Sequence, residues 1–389
     1  MSRTRRTFIF TLVGILVIVI ANFVAIQFLT SLTRGRVINI ISTVRNSTQE
    51  SIVQWMENAQ REAISWAESP AVISGAQQLA GLPPSQLANA PAQSALASTL
   101  SPLKMQDETV EYYLLGLDNT ILFSSHDGTV GQPSPLQNQT EYSDLLFSGS
   151  SFISPPLEWQ VDASSLPEAA ILAGVPIINA DDQQIAALVL AFDPLGEFST
   201  ILQNGHLLNT GETYAVNAGG VMASQSRFEN QLRQLGLLEE ERLSILTIAI
   251  RDPGFDLTAL EVAVPLEPGP PTRMAASLLN EESGVDVDGY RDYRGVEVVG
   301  AWTWIDAYDF GLATELDKDE AFLNLTTMRT GFIVLGMISC LALIGTVVLT
   351  DAGEKRERQA QERYEQTVEG AMEAIISFDS QNIVTAWNR

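Results

Sequence analysis

An α+β domain held between two membrane-spanning helices is the architecture that this 389-residue sequence predicts. Three observations predict it. Two long apolar runs, 7–29 and 331–350, can each cross a hydrocarbon core of ~30 Å at 1.5 Å per residue. The roughly 300 residues between them alternate strand-length apolar runs with turn residues, the pattern of antiparallel sheets. An apolar stripe at three- and four-residue steps follows the first run and predicts one long helix beside those sheets.

The flanks of the apolar runs set the orientation. Arg3, Arg5 and Arg6 lie in 1–6, and Lys355, Arg356, Arg358 and Arg363 lie in 351–363. An excess of Lys and Arg marks the cytoplasmic side. Both termini are therefore expected in the cytoplasm, with 30–330 extracytoplasmic, in a multi-pass protein of the inner (plasma) membrane. A signal peptide would carry an apolar core of ~7–15 residues and a small-residue cleavage site. The run 8–26 is longer and is interrupted only by Asn22, so it reads as an uncleaved anchor.

The net charge of −25 resides outside: 31–330 hold 14 Lys+Arg and 39 Asp+Glu. Such a surface disfavours nucleic acid and anionic lipid headgroups as partners. The single cysteine, Cys340, falls inside the second apolar run, so the exterior domain must be held by core burial rather than disulfides.

Along the chain, Ile38, Ile41, Val44, Ile52, Trp55, Ala59, Ala63 and Trp66 trace the stripe of a helix over 31–68, ended by Ser69-Pro70. The 70–102 segment reads as helix, loop at Gly81-Leu82-Pro83-Pro84, helix. A first sheet unit covers 103–200: strands at 110–117 and 121–123 around Asp118-Asn119-Thr120, then 170–178 and 185–192 around a polar turn. These last two are apolar throughout, as expected of strands covered on both faces. A second unit covers 205–318. It begins with a hairpin at 213–223, carries a long polar insertion over 224–289 with helices at 227–238 and 273–282, and ends with strands at 296–305 and 310–316. An exit helix over 317–330 is expected to run straight into the second span, so that a proline at Thr326 would uncouple the two.

Two stretches of the second unit carry a resemblance. Gly211-Glu212-Thr213-Tyr214-Ala215-Val216 with Ser226-Arg227-Phe228, and Gly289-Tyr290-Arg291-Asp292-Tyr293-Arg294-Gly295-Val296 with Phe310-Gly311-Leu312-Ala313-Thr314-Glu315, resemble the opening and close of a membrane-proximal Cache module. Over 30–330 the chain resembles a double-Cache sensor, in which a long helix lies along two PAS-like modules. Read physically, these motifs are scaffold. Gly211 and Gly295 suit turns of positive φ. Glu212 and Thr213 can bond backbone where the strand begins. Tyr214, Arg227 and Tyr293 belong to the same pattern. Asp292 and Arg294 read as an exposed strand-edge pair stabilising by ~0–1 kcal/mol. A second resemblance covers 364–389. Ala374-Ile375-Ile376-Ser377-Phe378-Asp379 and Asn382-Ile383-Val384 with Trp387-Asn388 are similar to the start of a cytoplasmic PAS domain, whose core would need further strands. No cofactor follows from that segment.

The resemblance implies a homodimer and a small-molecule ligand in the distal unit. Tyr113, Tyr142, Trp159 and Asp193 are the ligand-binding candidates: aromatic walls and one acid. Between 102 and 200 the basic side chains are Lys104 and His126, with no arginine. The Arg-and-Trp carboxylate grip of amino-acid-binding relatives is therefore missing, and a neutral or cationic ligand is favoured. No catalytic constellation is legible. Ser125-His126-Asp127 are contiguous and diverge, so they cannot form a triad. His126 and His206 have no Cys or His neighbour to share a zinc ion. Asp286, Asp288 and Glu297 have partial calcium-loop spacing, but Arg291 stands where the loop needs glycine. No metal and no cofactor is expected. The implied role is signalling, with a sensor histidine kinase as the output. The alternatives are a diguanylate or nucleotide cyclase or a Ser/Thr kinase, with a chemoreceptor or a membrane-tethered hydrolase behind them.

Overall fold

The computed structural model describes residues 3–105, 109–126, 128–160, 168–260, 269–369, 376–381 and 383–387. It divides into two compact units, Arg34–Phe322, and Met1–Thr33 together with Leu323–Arg389.

The first helix, α1 (Arg3–Ala67), is continuous. From Val37 onward its apolar stripe is buried: Val37, Ile41, Ile52, Trp55, Met56, Ala59, Ala63 and Ala67. Ile38, part of the expected stripe, is exposed. Three short helices follow: α2 (Pro70–Ala80), α3 (Pro84–Leu87) and α4 (Pro91–Leu100). Each starts on a proline, which is tolerated there because the first N–H of a helix has no intrahelical partner.

The distal sheet comprises β1 (Thr109–Leu115), β2 (Ile121–Ser124), β3 (Phe152–Ile153), β4 (Leu157–Trp159), β5 (Glu168–Ile178) and β6 (Gln184–Phe192). It is antiparallel, in the order β2-β1-β6-β5-β3, with β4 also paired to β5. Strand alternation splits its side chains cleanly. Tyr112, Leu114, Ile171, Ala173, Leu188 and Leu190 pack with α1, α2 and α4. Tyr113, Leu115, Leu172, Val189 and Ala191 form a second apolar layer on the other face. Both faces are covered, as the unbroken apolar runs require. The expected turns are present, and Asn119 and Asp182 take the positive φ that Asn and Asp tolerate. Helix α5 (Thr140–Phe147), between β2 and β3, packs on the second layer and was not legible from its mixed pattern.

After α6 (Glu197–Asn204) comes the proximal sheet, β7 (Glu212–Asn217), β8 (Gly284–Arg291), β9 (Glu297–Ile305) and β10 (Phe310–Asp317), antiparallel in the order β7-β10-β9-β8. One face meets α1: Val299, Ala301 and Leu316 close over Val37 and Ile41. The other face lies under the insertion, against Leu232, Ile248, Ile250, Met274 and Leu278. The insertion helices are shorter than expected. Helix α7 (Glu229–Gln234) gives way to Gly236 at φ 74°, and α8 (Arg273–Leu278) gives way to Glu281 at φ 60°. The return strand expected at 221–223 makes only isolated bridges, Val216 to Met222 and Val221 to Ala249. Strand β8 was expected to be insertion, because its pattern is inverted: Asp286 is buried and Val285 exposed.

The exit is not one helix. Helix α9 (Lys318–Ala321) stops at Phe322, which takes φ −112°, ψ 11° and packs on the Val37–Ile41 cluster. Helix α10 (Leu323–Glu369) then begins and runs 47 residues.

In the second unit, α1 and α10 each carry a stretch long and apolar enough to cross a membrane, with Phe10, Leu16, Phe23, Leu335, Leu341 and Leu349 exposed. They approach at small residues: a Cβ on Gly14 would lie 3.3 Å from Leu343, and one on Gly336 3.0 Å from the Asn22 amide. Strands β11 (Ile376–Phe378) and β12 (Val384–Trp387) form an antiparallel pair. The expected residues 370–375, Asn382 and Asn388 lie outside the described set.

Candidate functional site

The outer layer of the distal sheet gathers three of the four ligand candidates. Tyr113 and Trp159 are buried in it, their rings 5.8 Å apart and edge-on, and Tyr142 packs on Phe152 at 4.9 Å. The layer is otherwise Leu115, Leu136, Leu146, Leu172 and Val189. Period-2 alternation puts Glu111 on the same face as Tyr113, and the Tyr113 hydroxyl donates to its carboxylate. The Glu111 side chain is 13% exposed, and His126 Nδ1 lies 3.3 Å from its other oxygen. Trp159 Nε1 is buried with no hydrogen-bond partner among the described residues. Burial first, then the Glu111 hydrogen bond and charge, push the Tyr113 hydroxyl far above its usual range. Burial pushes Tyr142 up to about 12, helped by Glu141 and Asp309. Both are neutral phenols. The result is a dry aromatic layer with one carboxylate and the Trp159 indole N–H directed near the Tyr113 hydroxyl, suited to a small ligand bearing a donor or positive group.

Asp193 is not in this layer. Its carboxylate accepts from the Leu195 N–H at 2.8 Å and caps the turn after β6. Glu111 was missed; its signal was a lone charge in the apolar run 110–115. Of the expected basic side chains, His126 already pairs with Glu111, and the Lys104 side chain lies outside the described set. Asp127 also lies outside it.

The motif residues of the proximal sheet meet under the insertion. Glu212 Oε1 accepts from Ser226 Oγ at 2.7 Å and from the Arg227 N–H at 2.8 Å, and Oε2 accepts from Tyr293 at 2.7 Å. Glu315 contacts the Tyr214 hydroxyl at 2.8 Å and the Tyr290 hydroxyl at 2.7 Å. Thr213 donates to the Gly205 carbonyl. Arg227 donates to the Gly211 carbonyl. Gly211 does not sit at positive φ, contrary to expectation; a side chain there would collide with the Leu207 carbonyl. Gly295 has φ 80°, and a side chain there would collide with the Phe255 carbonyl. The Asp292–Arg294 pair is not at an exposed edge. Both side chains are buried, joined at 2.7 Å, with Arg294 also reaching Asp317 at 3.0 Å and lying 4.0 Å over the Phe228 ring.

Gly300 makes room for this network. A Cβ there would strike the Tyr290 hydroxyl and come within 3.2 Å of Glu315 Cγ. Gly300→Ala is expected to displace Tyr290 and destabilise the domain by about 1–3 kcal/mol, the usual cost of overpacking a core. Urea unfolding of the variant beside the parent chain checks it.

The carboxylates with calcium-loop spacing are taken by protein cations: Asp286 by Arg273, Asp288 by Arg34 and Glu297 by Lys318. No group of three or more His, Cys, Asp or Glu able to hold a metal ion occurs among the described residues. An open cleft of about 590 Å³ lies nearby, lined by Asp252, Phe255, Asp256, Tyr290, Arg291 and Glu297. Its Arg291 is bonded to Asp252 at 2.9 Å.

Against known proteins, no family model matches and no curated protein matches. Solved structures do. The ligand-binding domain of the Campylobacter jejuni chemoreceptor Tlp3, in complex with 4-methylisoleucine, is 12% identical, with 74% of this chain and 94% of that chain covered at a TM-score of 0.45. The periplasmic domain of RsbU from Chlamydia trachomatis is 13% identical, with 75% and 96% covered and a TM-score of 0.45. The sensor domain of the V. cholerae histidine kinase DctB is 10% identical, with 73% and 98% covered and a TM-score of 0.43.

Proposed function

We propose that the chain is a transmembrane receptor of the double-Cache type. Its exterior part binds a small neutral or cationic molecule in the distal module, and α10 carries the response to a PAS-like segment and a signalling output. The observation that carries this reading is the outer layer of the distal sheet, where Glu111, Tyr113 and Trp159 hold the polar atoms inside an otherwise apolar wall. Supporting it are the two exposed apolar helices, the basic flanks that orient them, and two antiparallel sheets packed along α1. The proposal places both termini in the cytoplasm and the receptor in the inner membrane as a homodimer. A histidine kinase is the output it favours.

Calorimetric titration of the chain in lipid nanodiscs tests the ligand class. Panels of aliphatic amines, quaternary ammonium compounds, neutral amino acids and dicarboxylates are to be compared. The amines and quaternary ammonium compounds are expected to bind; tight binding of the amino acids or dicarboxylates, whose carboxylates have no arginine to meet them, would overturn the charge argument. For a cationic ligand, Glu111→Gln is expected to weaken binding about 10–100-fold, the loss of one charge-assisted hydrogen bond of ~1.5–3 kcal/mol. An unchanged affinity would remove Glu111 from the site.

A further inference from the structure

The network under the insertion holds more carboxyl groups than free cations. Glu212 and Glu315 are register partners on β7 and β10, so their side chains share the insertion-covered face, and both are buried. The groups facing Glu315 are Glu212 and Tyr214 from β7, Asp286 and Tyr290 from β8, and Asp292, Tyr293 and Arg294 from the turn before β9. Strand β9 itself offers Gly300 and Trp302 there, neither of which titrates. The insertion brings Arg227, Glu229, Arg233 and Arg273, and the end of β10 brings Asp317. Every cation in this set is committed elsewhere. Arg294 is bonded to Asp292, Gln231 and Asp317; Arg227 to the Gly211 carbonyl; Arg233 to Glu229; Arg273 to Asp286. Glu315 has two tyrosine hydroxyls and, among the described residues, no counter-ion.

We propose that the proximal module is proton-responsive: Glu315 is carried as a neutral carboxylic acid between Tyr214 and Tyr290, and its ionisation opposite Glu212 loosens β10, the strand that leads into the exit segment. In the neutral form the carboxyl O–H donates to one tyrosine oxygen and the other tyrosine donates to the carbonyl oxygen. When the proton leaves for solvent, both tyrosines become donors and a second negative charge stands beside Glu212 in a dry layer. Burial lifts the Glu315 pKa to about 8, the Asp292 charge adds to the rise, and the two tyrosine hydrogen bonds draw it back. The folded value lies above the unfolded 4.5, so this stability is fully present below that value and is lost as pH rises through about 8. The strand that loosens is tied to the exit. Asp317 ends β10 on Arg294, and Glu320 of α9 is clasped by Asn209 and Thr210 at 2.6–3.2 Å. The inference does not depend on the identity of the distal ligand.

The test uses the chain in nanodiscs, with infrared difference spectra across the titration and amide hydrogen exchange over 311–316. A protonated-carboxyl C=O band is expected to vanish with a midpoint near 8 and to be absent from Glu315→Gln. At about pH 9 exchange in β10 is expected to be faster in the parent chain than in Glu315→Gln, with the gap narrowing as pH falls and closing below 4.5. Tyr290→Phe keeps the ring and removes one donor to the carboxylate, so it should move the midpoint upward; it also serves if Glu315→Gln fails to fold. A band that persists in Glu315→Gln, a midpoint in the ordinary carboxylate range, a midpoint unmoved by Tyr290→Phe, or equal exchange at about pH 9 would each overturn the proposal.

Discussion

Arg294→Met is expected to destabilise the Arg34–Phe322 unit by about 3–5 kcal/mol, because it strands a buried carboxylate. The side chains of Asp292 and Arg294 are 2% and 5% exposed. Asp292 accepts from Arg294 Nε at 2.7 Å and from the Arg294 and Val296 backbone N–H groups at 2.9 Å. Burial pushes its pKa up to about 6, and Arg294 is the strongest influence pulling it back. Removing the guanidinium leaves two amides to hold a charge in a dry site, and also deletes the contact to Asp317 and the stacking on Phe228. Without the cation, Asp292 must rise further above its unfolded value of 3.8. The sign follows: the variant is nearest the parent in acid, where Asp292 is protonated in both states, and the gap widens as pH rises. Urea unfolding at about pH 5 and about pH 8 checks both size and slope. Asp292→Asn combined with Arg294→Met removes the stranded charge and should recover part of the loss. A single-variant effect near the ~0–1 kcal/mol of exposed pairs would mean that the pair is not buried in solution.

That pair marks where sequence reading reached its limit. Asp292 and Arg294, two residues apart beside a glycine, read as a strand edge. Their burial is made by Phe228 and Gln231, over sixty residues earlier, folding back across the sheet. Such contact is non-local and leaves no period in the sequence. Strand β8 failed for a related reason: Asp286 faces inward because Arg273 on α8 meets it, so the apolar alternation that would announce a strand is reversed. By contrast, β5 and β6 were legible because burial on both faces forces unbroken apolar runs. The long helix was legible because α1 buries one stripe against both sheets. At the distal layer, Tyr113, Tyr142 and Trp159 were named as large aromatics in strand-rich sequence, and they pack in one layer. The face of Glu111 needed the alternation that Tyr113 supplies, and Asp193 lies apart from the layer because its carboxylate caps the turn after β6.

Thr330→Pro, rather than a proline at Thr326, is expected to separate ligand binding from transmission. The sequence placed the exit helix at 317–330, which would make Thr326 interior. The break at Phe322 moves the start of the helix to Leu323, so Thr326 is only its fourth residue, and a proline there would shorten the helix from the existing break rather than kink its interior. Thr330 stands a full turn further in. Its hydroxyl already reaches the Thr326 carbonyl at 3.0 Å, and its backbone N–H belongs to the same helical ladder. Proline there removes that N–H and drives its ring at the Thr326 carbonyl, costing ~3 kcal/mol or more and kinking the helix. Couplings between distant sites are commonly ~1–3 kcal/mol, so a defect of this size is enough to absorb one. The proposed ligand layer lies within 111–191 and should be untouched. In a Cys340→Ser background, spin labels at Lys355→Cys are expected to report a ligand-dependent inter-protomer distance in the parent chain and none in Thr330→Pro, while calorimetric affinity stays within about twofold. If the distance still responds in the proline variant, the signal does not travel along α10 as a rigid rod, and the break at Phe322 would become the place to look for a second route.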